Sequence, residues 1–186
     1  MLSDPEIKLL DYCVHKTITE IHICNFAAYG VEPHIHTDEK YISLNCWMRF
    51  VFDNGISFVT SRWQDEWTEE YRCKIRDYRQ FHPESLTSIH ISETSPWDGY
   101  IGQEMSWYTI LSHPTRYDKW WEIGMEDTVR GIEYSIGNRK ILCAALHSDD
   151  PFHKGTNNEI LVSDDRDFIQ TQKTRFEDFV GFYGEL

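Results

Sequence analysis

The residues whose types and spacing best suit chemistry are His34 and His36, in the stretch His34-Ile35-His36-Thr37-Asp38-Glu39. Imidazoles two apart on a strand face the same way, and Glu39 could complete a 2-His-1-carboxylate set of the kind that holds a divalent transition metal. A second group of ligand types, His147-Ser148-Asp149-Asp150-Pro151-Phe152-His153, comes much later in the chain. His153 joins the first set only if the two loops meet in space. Both stretches also have a plain structural explanation. Pro33 and Tyr41 bracket the first as a solvated loop entering a strand, and Asp-Asp-Pro followed by Lys154-Gly155 reads as a surface turn. The expectation is that no metal and no other cofactor is bound, with His34, His36, Glu39 and His153 as the metal candidates if one is.

His34 and His36 faintly resemble the first histidine motif of the cupin barrels, and His153 followed four residues later by Asn157 resembles the second. The resemblance implies a metal on those histidines. The interval from His36 to Glu39 is shorter than that family's spacing, and the glycines that frame both of its motifs are absent. Other chemistries find less. There is no Gly-x-Ser-x-Gly elbow, Gly-x-Gly-x-x-Gly turn or Walker loop. Cys46 and Cys143 fall at inward strand positions, where a thiolate is poorly solvated. With 31 acidic residues, neighbouring carboxylate pairs arise by chance and carry no signal.

Charge says more about partners. Against 31 Asp and Glu stand 18 Lys and Arg, a formal net charge of −13. Nucleic-acid binding by counterion release needs clustered cations. The only such cluster, Arg72, Lys74, Arg76 and Arg79, is interrupted by Glu69, Glu70 and Asp77 and reads as a solvated face with internal ion pairs. The aromatic content adds a second theme. Trp47 falls on the polar side of the most regular strand, between Asn45 and Arg49, and Trp63 and Trp67 flank Asp65 and Glu66. Aromatic side chains framed by carboxylates are the composition of a protein-binding hot spot. Trp47, Trp63, Asp65, Glu66 and Trp67 are the expected partner-binding residues, with a second core layer as the competing explanation for Trp47. The leading reading is an acidic protein-binding domain that captures a basic protein, as an immunity protein neutralises a basic toxin domain such as a nuclease. The alternatives are a metal-dependent enzyme or small-molecule binder using the histidines inside a curved sheet, and a structural or regulatory subunit of an assembly.

The longest apolar run, Ile141 to Leu146, is six residues against about 20 for a bilayer span, so no membrane segment is expected. Met1-Leu2-Ser3-Asp4-Pro5-Glu6 lacks the basic and apolar pattern of a secretory signal, and the five scattered Cys contain no Cys-x-x-Cys pair. Both features predict reduced thiols in a cytoplasmic protein.

The elements that must position these residues form one expected domain over 1–186, α+β in class. A mainly antiparallel sheet, strongly bent or partly closed and built from hairpins, carries helices near both ends. Ser3 or Asp4 caps a short first helix with Pro5 in its first turn. Thr17 to Phe26 alternates as a strand. Ile42, Leu44, Cys46, Met48, Phe50 and Phe52 alternate as one long strand, continued after Asp53-Asn54-Gly55 by Ile56 and Phe58. A two-residue loop would split the apolar face, so a three-residue loop is predicted, with Gly55 left-handed and Phe50 opposite Phe58. A second hairpin turns at Gly137-Asn138-Arg139-Lys140. Thr87 to Ser92 and Ile101 to Leu111 are further strands. A helix is predicted over 66–79, from Trp67, Tyr71, Ile75 and Tyr78, although Tyr71, Cys73 and Ile75 also fit a strand, and a second over 165–180 after a Ser163-Asp164-Asp165 cap.

Overall fold

The computed structural model describes residues 1–26, 35–37, 40–44, 47–64, 71–81, 86–94, 96–119, 122–145 and 160–182. Helix α1 (Asp4–Cys13) and helix α2 (Arg166–Phe182) lie near the two ends of the chain. Between them run β1 (Lys16–Phe26), β2 (Ile35–Thr37), β3 (Ile42–Leu44), β4 (Trp47–Phe52), β5 (Ser57–Gln64), β6 (Tyr71–Asp77), β7 (Leu86–His90), β8 (Glu104–Lys119), β9 (Glu122–Ile136), β10 (Arg139–Ala145) and β11 (Ile160–Ser163). They pair antiparallel in the order β2-β3-β11-β10-β9-β8-β1-β4-β5-β6, and β7 pairs with β1 off that path. Among the described residues the path does not return on itself, so the sheet there is open rather than partly closed.

β1 decides the shape. Its first residues, Lys16 and Thr17, pair with Met105 and Glu104 of β8. From Ile18 to Cys24 it pairs with β4 on its other edge, while His22 to Phe26 pair with β7. The sheet bends there and one half lies across the other. Ile21, Ile23, Met48, Phe50, Phe58 and Ile75 of one half then share a core with Met105, Ile132, Tyr134, Ile136, Ile141 and Cys143 of the other. Tyr134 stands at the centre, 5.4 Å from the Phe50 ring and 5.6 Å from that of Phe58. Its hydroxyl would be costly to bury alone, and it meets Thr60 Oγ1 at 2.8 Å.

Helix α1 starts where Ser3 N–H donates to the Glu6 carboxylate at 2.8 Å, and it buries Leu9, Leu10 and Cys13 against one end of the core. The other carboxylate oxygen of Glu6 accepts from Ile75 N–H of β6 at 3.1 Å. Helix α2 covers the outer face of β10 and β11, where Phe168 and Ile169 pack on Leu142, Ala144 and Leu161. With both of its faces covered, β10 reads in the sequence as an unbroken apolar run instead of an alternation. One acid lies on this outer face. Glu133 is only 1% exposed and sits 2.7 Å from both Lys140 and Lys173, so α2 is tied to the sheet by charge as well as packing.

Two expected elements are corrected. Residues 71–77 of the predicted helix form strand β6, because the alternation of Cys73 and Ile75, each 1% exposed, prevails over the four-residue spacing of the aromatics. β5 supplies the partner, with Thr60 opposite Ile75. The long strand through Ile42 and Phe52 is two strands. β3 pairs with β2 and β11, whereas β4 pairs with β1 and β5, so an uninterrupted alternation serves two parts of the sheet. The loop after β4 is as predicted: Phe50 opposes Phe58, Phe52 N–H donates to Ile56 O, and Gly55 has φ +76°. The second hairpin instead has a two-residue turn, with Arg139 opposite Ile136 and Gly137 at φ +58°.

A Cβ on Gly55 would meet nothing within 4 Å, so any cost of substitution there is backbone strain alone. Gly55→Val is expected to lower stability by about 1 kcal/mol or more, read as a lower melting midpoint. Burial opposes the charge on Glu133, but Lys140 and Lys173 prevail and hold its carboxyl below the usual range. A depressed native pKa adds stability above the unfolded pKa of about 4.3, and that stability is lost as pH falls through the native value. Glu133→Gln should therefore cost about 2 kcal/mol at neutral pH, and denaturant titrations of variant and parent should converge at acidic pH.

Candidate functional site

Of the residues singled out in the sequence, Trp47 is described in full. It is half-buried on the outer face of β4, its ring 5.2 Å from that of Phe81. Beside it the Arg49 guanidinium lies 3.5 Å from the centre of the Tyr78 ring. Trp63 lies in β5 opposite Arg72, and His36 lies in β2 opposite Ser43. His34, Glu39, Asp65, Glu66, Trp67 and His153 lie outside the described residues. In the basic cluster Arg72 pairs with Glu126 at 3.0 Å and Arg79 with Asp77 at 2.6 Å, which is the ion-paired face the sequence suggests.

An aromatic and acidic combination also occurs on the outer surface of β8 and α1. Trp107 of β8 is 64% exposed and Tyr12 of α1 is 66% exposed. Between them stands Tyr108, stacked on Trp107 with ring centres 6.1 Å apart, its hydroxyl donating to Asp11 Oδ1 at 2.8 Å. Burial and that hydrogen bond push the Tyr108 phenol up to about 12, so it remains a donor at neutral pH. The group is anchored to the body of the protein. His15 N–H donates to Met105 O, the His15 ring meets Glu104 at 2.8 Å, and Asn54 donates to Tyr12 O at 3.2 Å. An irregularity in β8 between Met105 and Trp107 accounts for the exposure. Met105 and Tyr108 pack inward or against the core, while Trp107, beside the bulge and opposite Ser135, projects to solvent.

A histidine and carboxylate cluster does form, also from unexpected residues. His22 of β1 and His90 of β7 are direct cross-strand partners, their rings stacked 4.8 Å apart. Glu20 precedes His22 by two positions on the same face, and its carboxylate meets His22 Nε2 at 2.7 Å. Among the described residues, these three are the group of His, Cys, Asp and Glu side chains that could converge on one ion, with ligand atoms all within 4.8 Å of one another. Burial and the nearby Arg49 hold the His22 imidazole below its usual pKa despite the opposing pull of Glu20, so the ring is neutral at pH 7. Glu20-x-His22 on an alternating strand was the available signal. The pairing with His90, 68 positions later, was not visible.

A cleft of about 490 Å³ opens where α2 begins, lined by Tyr41, Trp97, Tyr100, Ile141, Asp164 and Arg166 among others. Of its charged groups, Asp164 is already matched. Arg139 lies over the Tyr100 ring and pairs with Asp164, which also accepts from the Tyr100 hydroxyl. Trp97 is 4% exposed and forms part of the core.

No protein-family model matches this chain, and neither a curated protein nor a solved structure matches it. No helix in the described residues is long and apolar enough to cross a membrane.

The four described cysteines, Cys13, Cys24, Cys73 and Cys143, are free and buried. Burial pushes the Cys13 thiol up to about 12 and raises the other three as well, which removes them as nucleophiles at neutral pH. Peptide mapping after brief treatment of the native protein with iodoacetamide at pH 7 should find these four unmodified. All four should react once the chain is unfolded.

Proposed function

We infer that the chain is an acidic protein-binding domain whose partner is a basic protein, in the manner of an immunity protein neutralising a toxin domain. The observation that carries this reading is the exposed pair Trp107 and Tyr12, standing around the Tyr108–Asp11 hydrogen bond in a chain of net charge −13. Large aromatics exposed beyond half of their surface are unusual for residues that bury 150–250 Å² when packed. At interfaces they supply contact area at low entropic cost, because they have only two side-chain torsions.

The roles of charge and rings differ. The negative excess raises the encounter rate with a cationic surface over roughly a Debye length, ~8 Å at physiological salt. Desolvation of the aromatic centre governs how long the complex lasts. Asp11 is held by Tyr108, and Glu104 by His15, so two carboxylates of this face are pre-positioned beside the rings. Asp65 and Glu66, with Trp63 of β5 and Trp67, remain the second proposed contact segment. The compartment proposed for this encounter is the cytoplasm.

The test purifies the product of the adjacent gene, which this reading expects to be basic, and presents it to this chain in a surface-based kinetic assay. Raising ionic strength from about 50 to about 500 mM should slow association far more than it alters dissociation. Trp107→Ala should speed dissociation by about 30-fold, equivalent to about 2 kcal/mol. No complex, or a complex indifferent both to salt and to Trp107→Ala, overturns the reading.

A further inference from the structure

We propose that Glu20, His22 and His90 form a binding site for a divalent transition-metal ion, with zinc as the reference ion. Three observations carry the proposal. First, the two imidazoles are direct cross-strand partners and the carboxylate is two residues from one of them on the same face, so the backbone holds all three side chains together. Second, one ligand atom from each already lies within 4.8 Å of the others. A tetrahedral ion with bonds of 2.0–2.1 Å needs its ligand atoms about 3.3 Å apart, which rotation of the exposed His90 and Glu20 side chains can supply. Third, the supporting hydroxyls are in place. Ser88 Oγ lies 3.1 Å from His22 Nδ1, and Ser92 Oγ lies 2.6 Å from one nitrogen of His90. Such partners fix ring orientation and raise ligand basicity.

The proton arrangement is consistent with loading. Without an ion, His22 Nε2–H donates to Glu20. With one, the proton moves to Nδ1 and donates to Ser88 Oγ, which frees Nε2 and the carboxylate to ligate. The adverse charge is Arg49, the cross-strand neighbour of His22 on its other side. Its guanidinium is drawn toward the Tyr78 ring, and its Nε donates to Ser57 Oγ at 3.3 Å. With two nitrogens and one oxygen as ligands and His90 exposed, the ion keeps a fourth position open to water. Its structural effect is specific. β7 is joined to the sheet through β1, and an ion held by His22 and His90 clips those two strands together.

Calorimetric titration of the metal-free, tag-free protein with zinc chloride at pH 7 tests this, alongside thermal melting with and without zinc. Near-stoichiometric binding is expected, weakened at least tenfold by His90→Gln and by Glu20→Gln, with a zinc-dependent rise in melting midpoint that both variants lose. His90→Gln replaces an exposed side chain, and a parent-like melting curve without zinc verifies its fold. His34→Ala with His36→Ala should leave titration and melting unchanged. No binding, unweakened binding in both single variants, or loss of binding in the His34/His36 variant instead overturns the proposal.

Discussion

The backbone of β1 must satisfy three partners, and the rest of the architecture follows from how it does so. One edge is committed to β4. The other is given first to β8 and then, a few residues on, to β7. Because β8 leaves β1 after two residue pairs and β7 takes the same edge further on, β1 joins β8 and its neighbours to β4, β5 and β6 through only a short stretch of backbone. The two halves then close over Tyr134, Phe50 and Phe58, which lie in contact although they are up to 84 positions apart in the sequence. The same division of an edge brings His90 opposite His22 and leaves Trp107 beside the irregular start of β8. Both surface features discussed above are therefore products of one strand's hydrogen bonding.

Much of this was legible locally. The Phe50–Phe58 register followed from requiring a hairpin to keep its apolar residues on one face, and left-handed Gly55 followed from that register. Helices α1 and α2 were announced by their caps. What could not be read was partnership. The run from Ile42 to Phe52 alternates without interruption, yet β3 and β4 pair with different strands, because alternation reports burial of a face and carries no label for the strand next door. Strand β6 carried both the helical and the extended period in one short stretch, and only the availability of β5 decided between them. β8 was expected to end at Leu111 but continues to Lys119 through Pro114, a residue whose missing N–H argues against a strand from sequence alone.

The residues of the two candidate sites were not legible for a related reason. His34 and His36 were conspicuous because they are close in sequence, whereas His22 and His90 owe their contact to the pairing of β1 with β7. Likewise Trp47 drew attention by facing the polar side of a strand, but that side carries its own layer of Phe81, Tyr78 and Arg49. Trp107 is exposed through a bulge, which shifts the alternation by one residue and so hides the outward direction from any period-two reading.

Strand β6, at one end of the sheet path, bears on how copies of this protein behave when crowded. An edge strand offers amides that a strand of another molecule could use, the first step toward cross-β aggregation. Here the Ile75 amide is already occupied by the Glu6 carboxylate, supplied by a helix that is itself anchored in the core. Arg72, Lys74 and Arg76 alternate along the same strand, where Arg72 pairs with Glu126 of β9. At the opposite end of the path lies β2, of which three residues are described. Resistance to edge-to-edge assembly is thus written into the way the first helix is seated, and a chain without its N-terminal helix would present a strand that the intact protein keeps covered.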